Sequence, residues 1–497
     1  MKRIAVVGSG IAGLGAAMAL TKQGAGRVTL FEAGSHFGGH AHTVDVTLPD
    51  AQGHAVTHGV DTGFLVFNER TYPNLIALFD ELGVPVAKSD MSFSVQVPQG
   101  AGGKQAGLSG HQRWLTSLQW CGSSLNTVFA QRRNVVSPRF WRMLSDLIRF
   151  NRVTTAMAER GDDAKLAQPI GDFLAEQGLG PAFRDAYLLP MIACIWSCPT
   201  EQMLQFPIGT LIRFCHNHGL LQVANRPQWF TVAGGSREYV RRVVARLSDV
   251  RLNTPIERLV RLGEGGAGGV VLHTREGSEV FDEVVMACHS DEALALLGAG
   301  ATPTERELLG AVKYHPNRAV LHTDQALLPS RRLAWAAWNY EREAPSSDTG
   351  KKGEHVCLHY LLNVLQPLPF AQPVVVSLNP LREPAPETVI ASYDYAHPVF
   401  DMAAIEAQRR LGEIQGHQHV WFCGAWAGYG FHEDGLKSGR AVAAALLAKD
   451  GKAMLQDAAQ LADGYLAQHA NPTMPKAEGQ ASHDETLAEP ATLKEGV

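Results

Sequence analysis

The stretch that decides the fold is Ile4-Ala5-Val6-Val7-Gly8-Ser9-Gly10-Ile11-Ala12-Gly13, near the start of the chain. Its apolar residues 4–7 predict a buried parallel strand, and the apolar residues after Gly13 recur at helical spacing. A second strand is predicted over residues 28–31 and ends at Glu32. A strand, a glycine turn, a helix, a strand and an acid follow one another in the order that a dinucleotide-binding fold requires.

Each glycine of this turn has its own physical role. Gly8 permits the tight turn, Gly10 lets the backbone approach a pyrophosphate, and Gly13 lets the helix pack closely on the sheet. The carboxylate of Glu32 is placed to accept hydrogen bonds from ribose hydroxyls. The predicted nucleotide contacts in this segment are Gly8, Ser9, Gly10, Ile11, Ala12, Gly13, Glu32 and Ala33.

A second glycine pair, Gly38-Gly39, lies shortly after Glu32 and precedes His40. The first motif alone is compatible with both NAD and FAD. The pair would let the chain run close to a bound cofactor, an extension that a simple nicotinamide fingerprint does not need. Gly38, Gly39 and His40 are therefore added to the predicted cofactor contacts.

Length and composition exclude several classes of protein. At 497 residues the chain is too long for one compact core, and its net charge of −5 gives no pull toward nucleic acid. Seven scattered cysteines favour a reducing compartment, and the spacing of Cys194, Cys198 and Cys215 is not that of a zinc site, so no metal is predicted. Since neither a signal peptide nor an apolar run of membrane-spanning length is recognisable, we expect a cytoplasmic protein.

The alternation of strands and helices predicts an α/β protein with a discontinuous nucleotide-binding domain of the Rossmann type. This domain is predicted to comprise residues 1–75, 226–300 and 396–450. An inserted, mixed α+β substrate domain is predicted over residues 76–225 and 301–395, which interrupt the pattern. Residues 470–497, rich in Pro, Ala and Glu, are predicted to form a disordered tail.

Within the insertion, residues 132–160 contain seven arginines and only two acids, Asp146 and Glu159. Apolar residues such as Phe140 and Trp141 lie between the arginines at helical spacing. One interpretation is a basic amphipathic helix that makes peripheral contact with an anionic membrane, at the inner face of the cell membrane. The other is a helix that packs on its own domain and exposes a solvated arginine face.

The motifs together resemble those of the FAD-dependent flavin amine oxidase and phytoene desaturase superfamily. The resemblance rests on the N-terminal fingerprint and on Asp61-Thr62-Gly63, Val232-Ala233-Gly234-Gly235, His397-Pro398 and the segment from Phe422-Cys423-Gly424 to Gly439. It implies non-covalent FAD, held also by Asp61, Thr62, Gly63, Ile256, Gly424, Glu433, Asp434, Gly435 and Leu436. An arginine usually follows the glycine pair in this superfamily, and His40 stands there instead.

Within the superfamily the chain looks similar to a bacterial subgroup of FAD-binding oxidoreductases that is tied to modification of unsaturated fatty acyl chains. The strings that carry this likeness are Gly39-His40-Ala41-His42-Thr43, Leu321-His322-Thr323-Asp324, Trp338-Asn339-Tyr340 and Gly430-Phe431-His432-Glu433-Asp434-Gly435. The likeness implies a hydrophobic small molecule or a lipid as the substrate and leaves the electron acceptor open.

Two departures from the amine oxidase pattern bear on the chemistry. Amine oxidases hold a water against flavin N5 with a lysine, and the matching stretch 319–324 has none. They also surround the amine with an aromatic pair, and His432 takes one of those places. The candidate catalytic residues are therefore His432, His322 and Asp324, with Trp338 and Tyr340 as candidates for the cavity wall.

Three functions follow as expectations. The first is removal of a hydride to flavin N5 by a desaturase or dehydrogenase of a lipid-like, unsaturated fatty acyl chain. The second is an amine oxidase that releases peroxide, which the missing lysine disfavours. The third is a non-catalytic FAD-binding partner in lipid modification.

Overall fold

A computed structural model describes residues 1–97, 109–115, 118–160, 166–196, 203–217, 227–263, 268–342 and 357–448. The predicted tail at 470–497 lies outside the described residues, as do Cys198 and the side chain of Cys194. No described helix is both long enough and apolar enough to cross a membrane.

Twenty strands are present in the described part of the chain. They are β1 Arg3–Val7, β2 Arg27–Phe31, β3 Thr43–Pro49, β4 Ala55–Asp61, β5 Phe67–Asn68, β6 Val86–Ser89, β7 Phe93–Gln96, β8 Gln119–Cys121, β9 Trp229–Val232, β10 Asp249–Arg251, β11 Arg258–Arg261, β12 Val270–Thr274, β13 Gly277–Phe281, β14 Glu283–Met286, β15 Lys313–His322, β16 Trp338–Glu341, β17 Cys357–Leu361, β18 Val375–Leu378, β19 Val389–Val399 and β20 Val420–Phe422.

The α-helices of the described residues are α1 Ile11–Lys22, α2 Pro73–Leu82, α3 Gly110–Leu115, α4 Leu125–Val128, α5 Pro138–Arg160, α6 Ile170–Glu176, α7 Pro181–Phe183, α8 Leu189–Trp196, α9 Ile208–Asn217, α10 Arg237–Val244, α11 Ser290–Leu297, α12 Pro303–Ala311, α13 Leu362–Leu365, α14 Met402–Arg410 and α15 His432–Leu447. Short 3₁₀ turns join several of them, and a π-helical turn at Arg184–Leu188 links α7 to α8.

The nucleotide-binding half is built on a parallel sheet with the strand order β10-β2-β1-β14-β20. Strands from distant parts of the chain meet here, because β14 pairs with β1 and β20 pairs with β14. The interiors of β1, β2, β14 and β20 are mostly apolar and buried, as expected for a parallel sheet covered on both faces, whereas the edge strand β10 is half-buried. The predicted Rossmann-type α/β fold is confirmed by this sheet and its helices.

Helix α15 crosses α1 at very short range because glycines remove the side chains between them. A Cβ on Gly439 would lie 2.0 Å from the carbonyl oxygen of Ala12, and a Cβ on Gly15 would lie 2.6 Å from a methyl of Leu436. The C-terminal helix is thereby fixed against the helix that follows the first glycine turn. For this reason the first glycine turn and the start of α15, which are far apart in the sequence, belong to one site.

The second half is organised by a seven-stranded sheet with the order β19-β15-β18-β17-β16-β7-β8. Its strands fall within the predicted substrate segments, except that β19 continues to Val399, beyond the predicted boundary at 395. Side chains alternate between its faces, so Tyr360 and Val376 lie on one face while His359 and Ser377 lie on the other. The domain boundaries themselves stay a prediction.

Candidate active site

A single continuous cavity of about 1140 Å³ runs from the first glycine turn to the seven-stranded sheet. Predicted cofactor residues that line it are Gly8, Ser9, Gly10, Ile11, Ala12, Glu32, Ala33, Gly38, Gly39, His40, Thr62, Gly63, Ile256 and Gly424. Gly13, Asp61, Glu433, Asp434, Gly435 and Leu436 are not among the lining residues. The structure thus brings most of the predicted contacts together at one end of the cavity.

The glycine turn has the geometry that a pyrophosphate needs. Gly8 has φ +102°, and a Cβ on Gly13 would lie 1.9 Å from the Gly8 carbonyl oxygen, so neither position tolerates a side chain. A Cβ on Gly10 would meet nothing within 4 Å. Since Gly10 lines the cavity, this open space is available to a ligand, and the role of Gly13 is close packing.

Glu32 is held at the nucleotide end by backbone and side-chain donors. One carboxylate oxygen accepts from the Ser9 amide at 3.0 Å and from the Ser9 hydroxyl, and the other accepts from the Gly34 amide at 2.7 Å. These bonds keep the carboxylate beside the glycine turn. It lines the cavity there, as a ribose-binding acid must.

The Gly38-Gly39 pair packs directly on the first turn. The Gly38 amide donates to the Ser9 carbonyl at 3.1 Å, and a Cβ on Gly39, which has φ +57°, would lie 3.2 Å from the Cα of Gly10. A side chain at Gly39 would therefore press on the turn itself. The pair extends the cofactor cradle, as its position in the sequence indicates.

His40, which replaces the usual arginine, is a buried and neutral ring in the cavity wall. It stacks on Tyr395 with ring centroids 4.9 Å apart, and its Nε2 is buried without a hydrogen-bond partner among the described residues. Burial, reinforced by His397 and His289, holds the pKa of His40 well below its ordinary value. An unpartnered buried nitrogen next to an open glycine cradle fits FAD, whose polar edge can satisfy it.

Asp61 lies beneath the cofactor end and ties three segments together. Its carboxylate accepts from the Ser236 amide at 2.9 Å, from the Thr43 hydroxyl at 2.5 Å and from the Gln366 side chain at 2.8 Å. Burial raises its pKa to about 6, although these hydrogen bonds oppose the rise. Asp61 therefore positions its lining neighbours Thr62 and Gly63.

The acids at the start of α15 hold neighbouring backbone. Glu433 accepts from the Asn74 amide at 2.9 Å and the Leu75 amide at 3.0 Å, which are free donors at the first turn of α2. Asp434 accepts from the Phe431 amide at 3.0 Å and the Tyr429 amide at 3.1 Å. Both carboxylates shape the loop that faces the flavin end.

The predicted cofactor contacts of Gly435 and Leu436 stay predictions, and the geometry of α15 gives both residues a role in packing. The Gly435 amide already donates to the Phe431 carbonyl at 3.0 Å, and a Cβ there would lie 2.8 Å from Ile11. Leu436 is fully buried against Gly15. These residues serve helix packing, because the free amides of a helix belong to its first turn and Gly435 is already past it.

His432 lies in the cavity wall beside Phe64, where the motif that contains it predicts the flavin ring; we call this part of the cavity the flavin end. Its ring stacks on Phe64 with centroids 3.8 Å apart, and the Tyr239 hydroxyl lies 3.1 Å from its Nε2. Burial lowers the pKa of His432 to about 3 and raises the pKa of Tyr239, so both groups are neutral, and in one of the two His432 tautomers the tyrosine donates to Nε2. The remaining proton is then on Nδ1, which makes His432 a hydrogen-bond donor.

His322 and Asp324, the other two candidate catalytic residues, do not line the cavity. The Asp324 amide donates to His322 Nδ1 at 3.1 Å, so His322 Nε2 carries the proton that bonds Ser377 Oγ at 2.6 Å. Ser377 bonds His359 Nδ1 at 2.6 Å, and His359 Nε2 donates to Glu341 at 2.6 Å. This chain of bonds braces the far face of the sheet, and each group in it has a partner.

Burial lowers the pKa of His322 to about 4, which matches its place in this chain as a neutral ring. Asp324 instead accepts from the amides of Ala326 and Ala385, which joins two surface turns. Cys357 lies beside Glu341 and His359, and among the described residues these three could share a metal ion. Their hydrogen bonds account for the arrangement without one.

The end of the cavity away from the glycine turn has an apolar wall. The substrate-side residues that form it are Met91, Phe93, Met191, Trp229, Trp338, Tyr360, Val376 and Leu378. None of the described lining residues is a lysine or an arginine. The indole Nε1 of Trp338 is buried without a hydrogen-bond partner among the described residues, so this wall offers one free polar donor.

Sequence reasoning missed most of this wall and a group of rings beside His40. His289 stacks on Tyr314 with centroids 4.4 Å apart, and His397 lies 5.4 Å from His40. The strand alternation in β18, which places Val376 and Leu378 on one face, was the available signal for the wall. It could not show which face of each strand meets the cavity.

Comparison with known proteins agrees with this geometry. A family model described as flavin containing amine oxidoreductase matches residues 11–362. No curated protein sequence matches the chain.

Solved structures similar to the chain include a CLA-producing fatty acid isomerase from P. acnes (16% identity, 88% of this chain and 97% of that chain, TM-score 0.58). A cyclohexylamine oxidase from Brevibacterium oxydans IH-35A is also similar (16% identity, 90% of this chain and 98% of that chain, TM-score 0.57). So is a putrescine oxidase bound to putrescine (14% identity, 89% of this chain and 98% of that chain, TM-score 0.58). At sequence identities this low, the structural similarity establishes the shared fold alone. The family model matches more than half of the residues of this chain. The chain therefore belongs to the flavin-containing amine oxidoreductase family and is an FAD-dependent oxidoreductase.

Proposed function

We propose that this enzyme dehydrogenates a lipid-like chain, taking two hydrogens from adjacent carbons of an unsaturated fatty acyl substrate. The observation that carries the proposal is the apolar wall that begins where the cofactor residues end. A fatty acyl chain has few polar groups, and it gains about 0.8 kcal/mol for each methylene that leaves water. The similarity to a fatty acid isomerase supports the same class of substrate.

An amine is the less suitable substrate for this wall. A charged ammonium needs a carboxylate, an aromatic cage or water when it leaves solvent. The acids among the lining residues are Glu32, Glu292 and Asp394. Glu32 is bonded to the glycine turn, Glu292 to the His289 amide, and Asp394 is exposed to solvent. Among the described lining residues no carboxylate thus lies in the apolar wall and no lysine is present to hold a water, which leaves only the aromatic residues of the wall to receive an ammonium.

When bound, FAD supplies the acceptor for both hydrogens, because its reduction to FADH2 takes up the hydride from one carbon and the proton from the next. The chain's own task is to hold one C–H bond in place and exclude water, which the apolar wall does. His432 lines the cavity and is fixed by Tyr239 and Phe64, and the tautomer in which Nε2 accepts from Tyr239 has Nδ1–H as its donor. A neutral donor here orients the substrate or cofactor edge and takes up no charge. The Trp338 indole can hold a single carbonyl or carboxylate oxygen of the substrate.

The experiment is anaerobic mixing of the purified holoenzyme with candidate substrates while the visible absorbance of the oxidised flavin is followed. Bleaching by a phospholipid or free fatty acid with an unsaturated chain, and none by putrescine or cyclohexylamine, is the expected result. Bleaching by the amines alone would replace the proposal with the amine oxidase.

A saturated acyl chain of the same length is the matched control for the unsaturated one. If neither lipid nor amine bleaches a flavin that dithionite reduces normally, the remaining interpretation is an FAD-binding partner without catalysis. These outcomes separate the three functions without any mutation.

A further inference from the structure

The outer face of α5 and the segment before it carry exposed apolar side chains. Trp141 and Ile148 are 50% and 54% exposed, Val136 is 81% exposed and Leu125 is 80% exposed. Val135 lies next to them and is also exposed. These five residues, which we call the Trp141 surface, are exposed large apolar residues that all fall between Leu125 and Ile148 in the sequence.

Arginines surround the Trp141 surface on the same helix face. Trp141, Ile148 and Arg152 follow one another at the spacing i, i+7 and i+11, so they lie along one stripe. Arg142 and Arg152 are exposed and have no ion pair among the described residues. The exposed arginines of this region are Arg132, Arg133, Arg139, Arg142, Arg149, Arg152 and Arg160.

Among the described residues of α5 and the segment before it, negative charge is scarce, although Glu176 of α6 lines a small cavity together with Arg152 and Arg160. Asp146 is buried and bonds Arg149 at 3.2 Å and the Gly180 amide at 3.0 Å. Glu159 is the other acid of residues 132–160. The face therefore combines apolar side chains with an excess of fixed positive charge.

The surface is rigid because the opposite face of α5 is part of the core. Phe140, Met143 and Phe150 are fully buried. The Trp141 indole donates to the Val135 carbonyl at 2.8 Å, and its ring lies 5.3 Å from that of Phe129. With its polar atom already satisfied, the exposed ring presents apolar surface.

Aromatic contacts link this helix to the cavity wall. Phe140 on the inner face of α5 lies 6.3 Å from Trp120, and Trp120 lies 6.3 Å from Phe93, which lines the substrate end of the cavity. The Trp141 surface is thus on the outer side of the wall that encloses the substrate.

We infer that the Trp141 surface docks on an anionic lipid bilayer, with the apolar residues in the headgroup region and the arginines against lipid phosphates. Exposed aromatic and aliphatic residues within a ring of arginines match a bilayer of that charge. An acidic protein would satisfy the arginines but leave Val136 and Ile148 without a reason for exposure. The inference rests on this surface alone and does not require a lipid substrate.

The test is co-sedimentation of the full-length holoenzyme with vesicles of phosphatidylcholine, with and without phosphatidylglycerol. We expect binding to the anionic vesicles that weakens as salt rises, and little binding to the neutral ones. No binding to anionic vesicles, or equal binding to both, would overturn the inference.

Two paired variants measure the two components of the surface. Arg142→Glu with Arg152→Glu should weaken vesicle binding at least ~30-fold, since each cation near an anionic surface contributes a factor of about five. Trp141→Ser with Ile148→Ser should weaken it about tenfold or more by removing apolar area. Retention of bound flavin shows that each variant is folded.

The matched controls lie elsewhere on the surface. Arg275→Glu removes an exposed arginine and Met402→Ser an exposed apolar residue, and both should bind vesicles like the wild type. If the controls weaken binding as much as the paired variants, the inferred surface is wrong. Self-association of the wild type that Trp141→Ser with Ile148→Ser abolishes, without vesicle binding, would assign the surface to a second copy of the chain instead.

Discussion

The two ends of the cavity are built in different ways. At the cofactor end, backbone groups and glycines dominate, and the polar side chains there are held by hydrogen bonds to neighbouring backbone, as Glu32 and Asp61 are. At the substrate end, bulky side chains such as Phe93 and Leu378 come from strands far apart in the sequence. The first end recognises a fixed molecule through a rigid backbone, whereas the second offers shape and apolar surface.

This difference teaches where specificity lies. A backbone cradle tolerates few changes, because its glycines have no room for a side chain or leave room only for a ligand. An apolar wall can change its residues and still hold a chain of methylenes. Variants at the cofactor end should therefore change flavin binding, and variants at the substrate end should change the kinetics.

The largest effect is expected from Gly10→Leu. A Cβ at Gly10 meets nothing within 4 Å, so the fold should persist, but the longer side chain would fill the space for the pyrophosphate. Flavin affinity should fall at least ~100-fold, about 3 kcal/mol. Fluorescence titration of the apoprotein with FAD measures it. Gly300→Leu, also an open glycine but remote from the cavity, is the control and should bind FAD normally.

Glu32→Ala should weaken FAD binding by about 10- to 30-fold. The change removes the predicted ribose acceptor and leaves the Ser9 and Gly34 amides without their partner, a loss of about 1.5–2 kcal/mol, in the lower part of the range for hydrogen bonds to a charged group. The same titration measures the loss, and Glu32→Gln should recover part of it. Full flavin occupancy in purified Glu32→Ala would remove Glu32 from the cofactor site.

His432→Ala should leave FAD bound and slow flavin reduction by about tenfold, the worth of one orienting hydrogen bond of about 1.4 kcal/mol. Stopped-flow absorbance under anaerobic conditions measures the rate. His432→Asn, which keeps a donor, should be less impaired. A wild-type rate in His432→Ala would show that the ring only packs against Phe64.

The low pKa of His432 adds a pH test of the same residue. Burial lowers it from 6.5 to about 3, so the ring stays neutral at neutral pH and adds no inflection to the reduction rate. As the pH falls, His432 is protonated in the unfolded protein before it is protonated in the folded protein. The contribution of His432 to stability therefore falls as the pH drops from about 6.5 toward 3. Thermal unfolding of His432→Ala should therefore depend less on pH in that window. A rate inflection lost in the variant would make His432 an acid–base group.

The smallest effect is expected from Trp338→Phe, which keeps the ring in the wall and removes its unpartnered N–H. The Michaelis constant for a lipid substrate should rise about fivefold, the value of one hydrogen bond of about 1 kcal/mol, with little change in kcat. Steady-state kinetics separate the two constants. An unchanged Michaelis constant would leave the indole as an apolar part of the wall.

The cofactor end could be predicted because its signals are local. A glycine turn between a strand and a helix fixes the backbone by itself, and Glu32 and Gly38-Gly39 line the same cavity as Gly8 to Ala12, while their contacts with FAD stay a prediction. The roles of the residues at the start of α15 were harder to predict, because one short segment both lies beside the predicted flavin site and packs on α1. Glu433 caps a separate helix and Gly435 contacts Ile11, and neither contact has a signal in the nearby sequence.

The substrate end could not be predicted residue by residue. Its wall combines strands paired over long sequence separations, such as β7 with β16, and the face of each strand depends on that pairing. His322 and Asp324 were chosen from a shared string, yet the alternation of β15 places His322 on the far face of the sheet. A helix was predicted over residues 132–160, of which α5 occupies Pro138–Arg160, but which of its sides is exposed emerged only from packing.

The central claim is that FAD at one end of the cavity oxidises a lipid chain held at the other. The most direct measurement is mass spectrometry of the lipid recovered after anaerobic single turnover with excess enzyme. The account predicts a product with two hydrogens fewer, in proportion to the flavin reduced. Recovery of the lipid with an unchanged mass, whether intact or with a moved double bond, would contradict it.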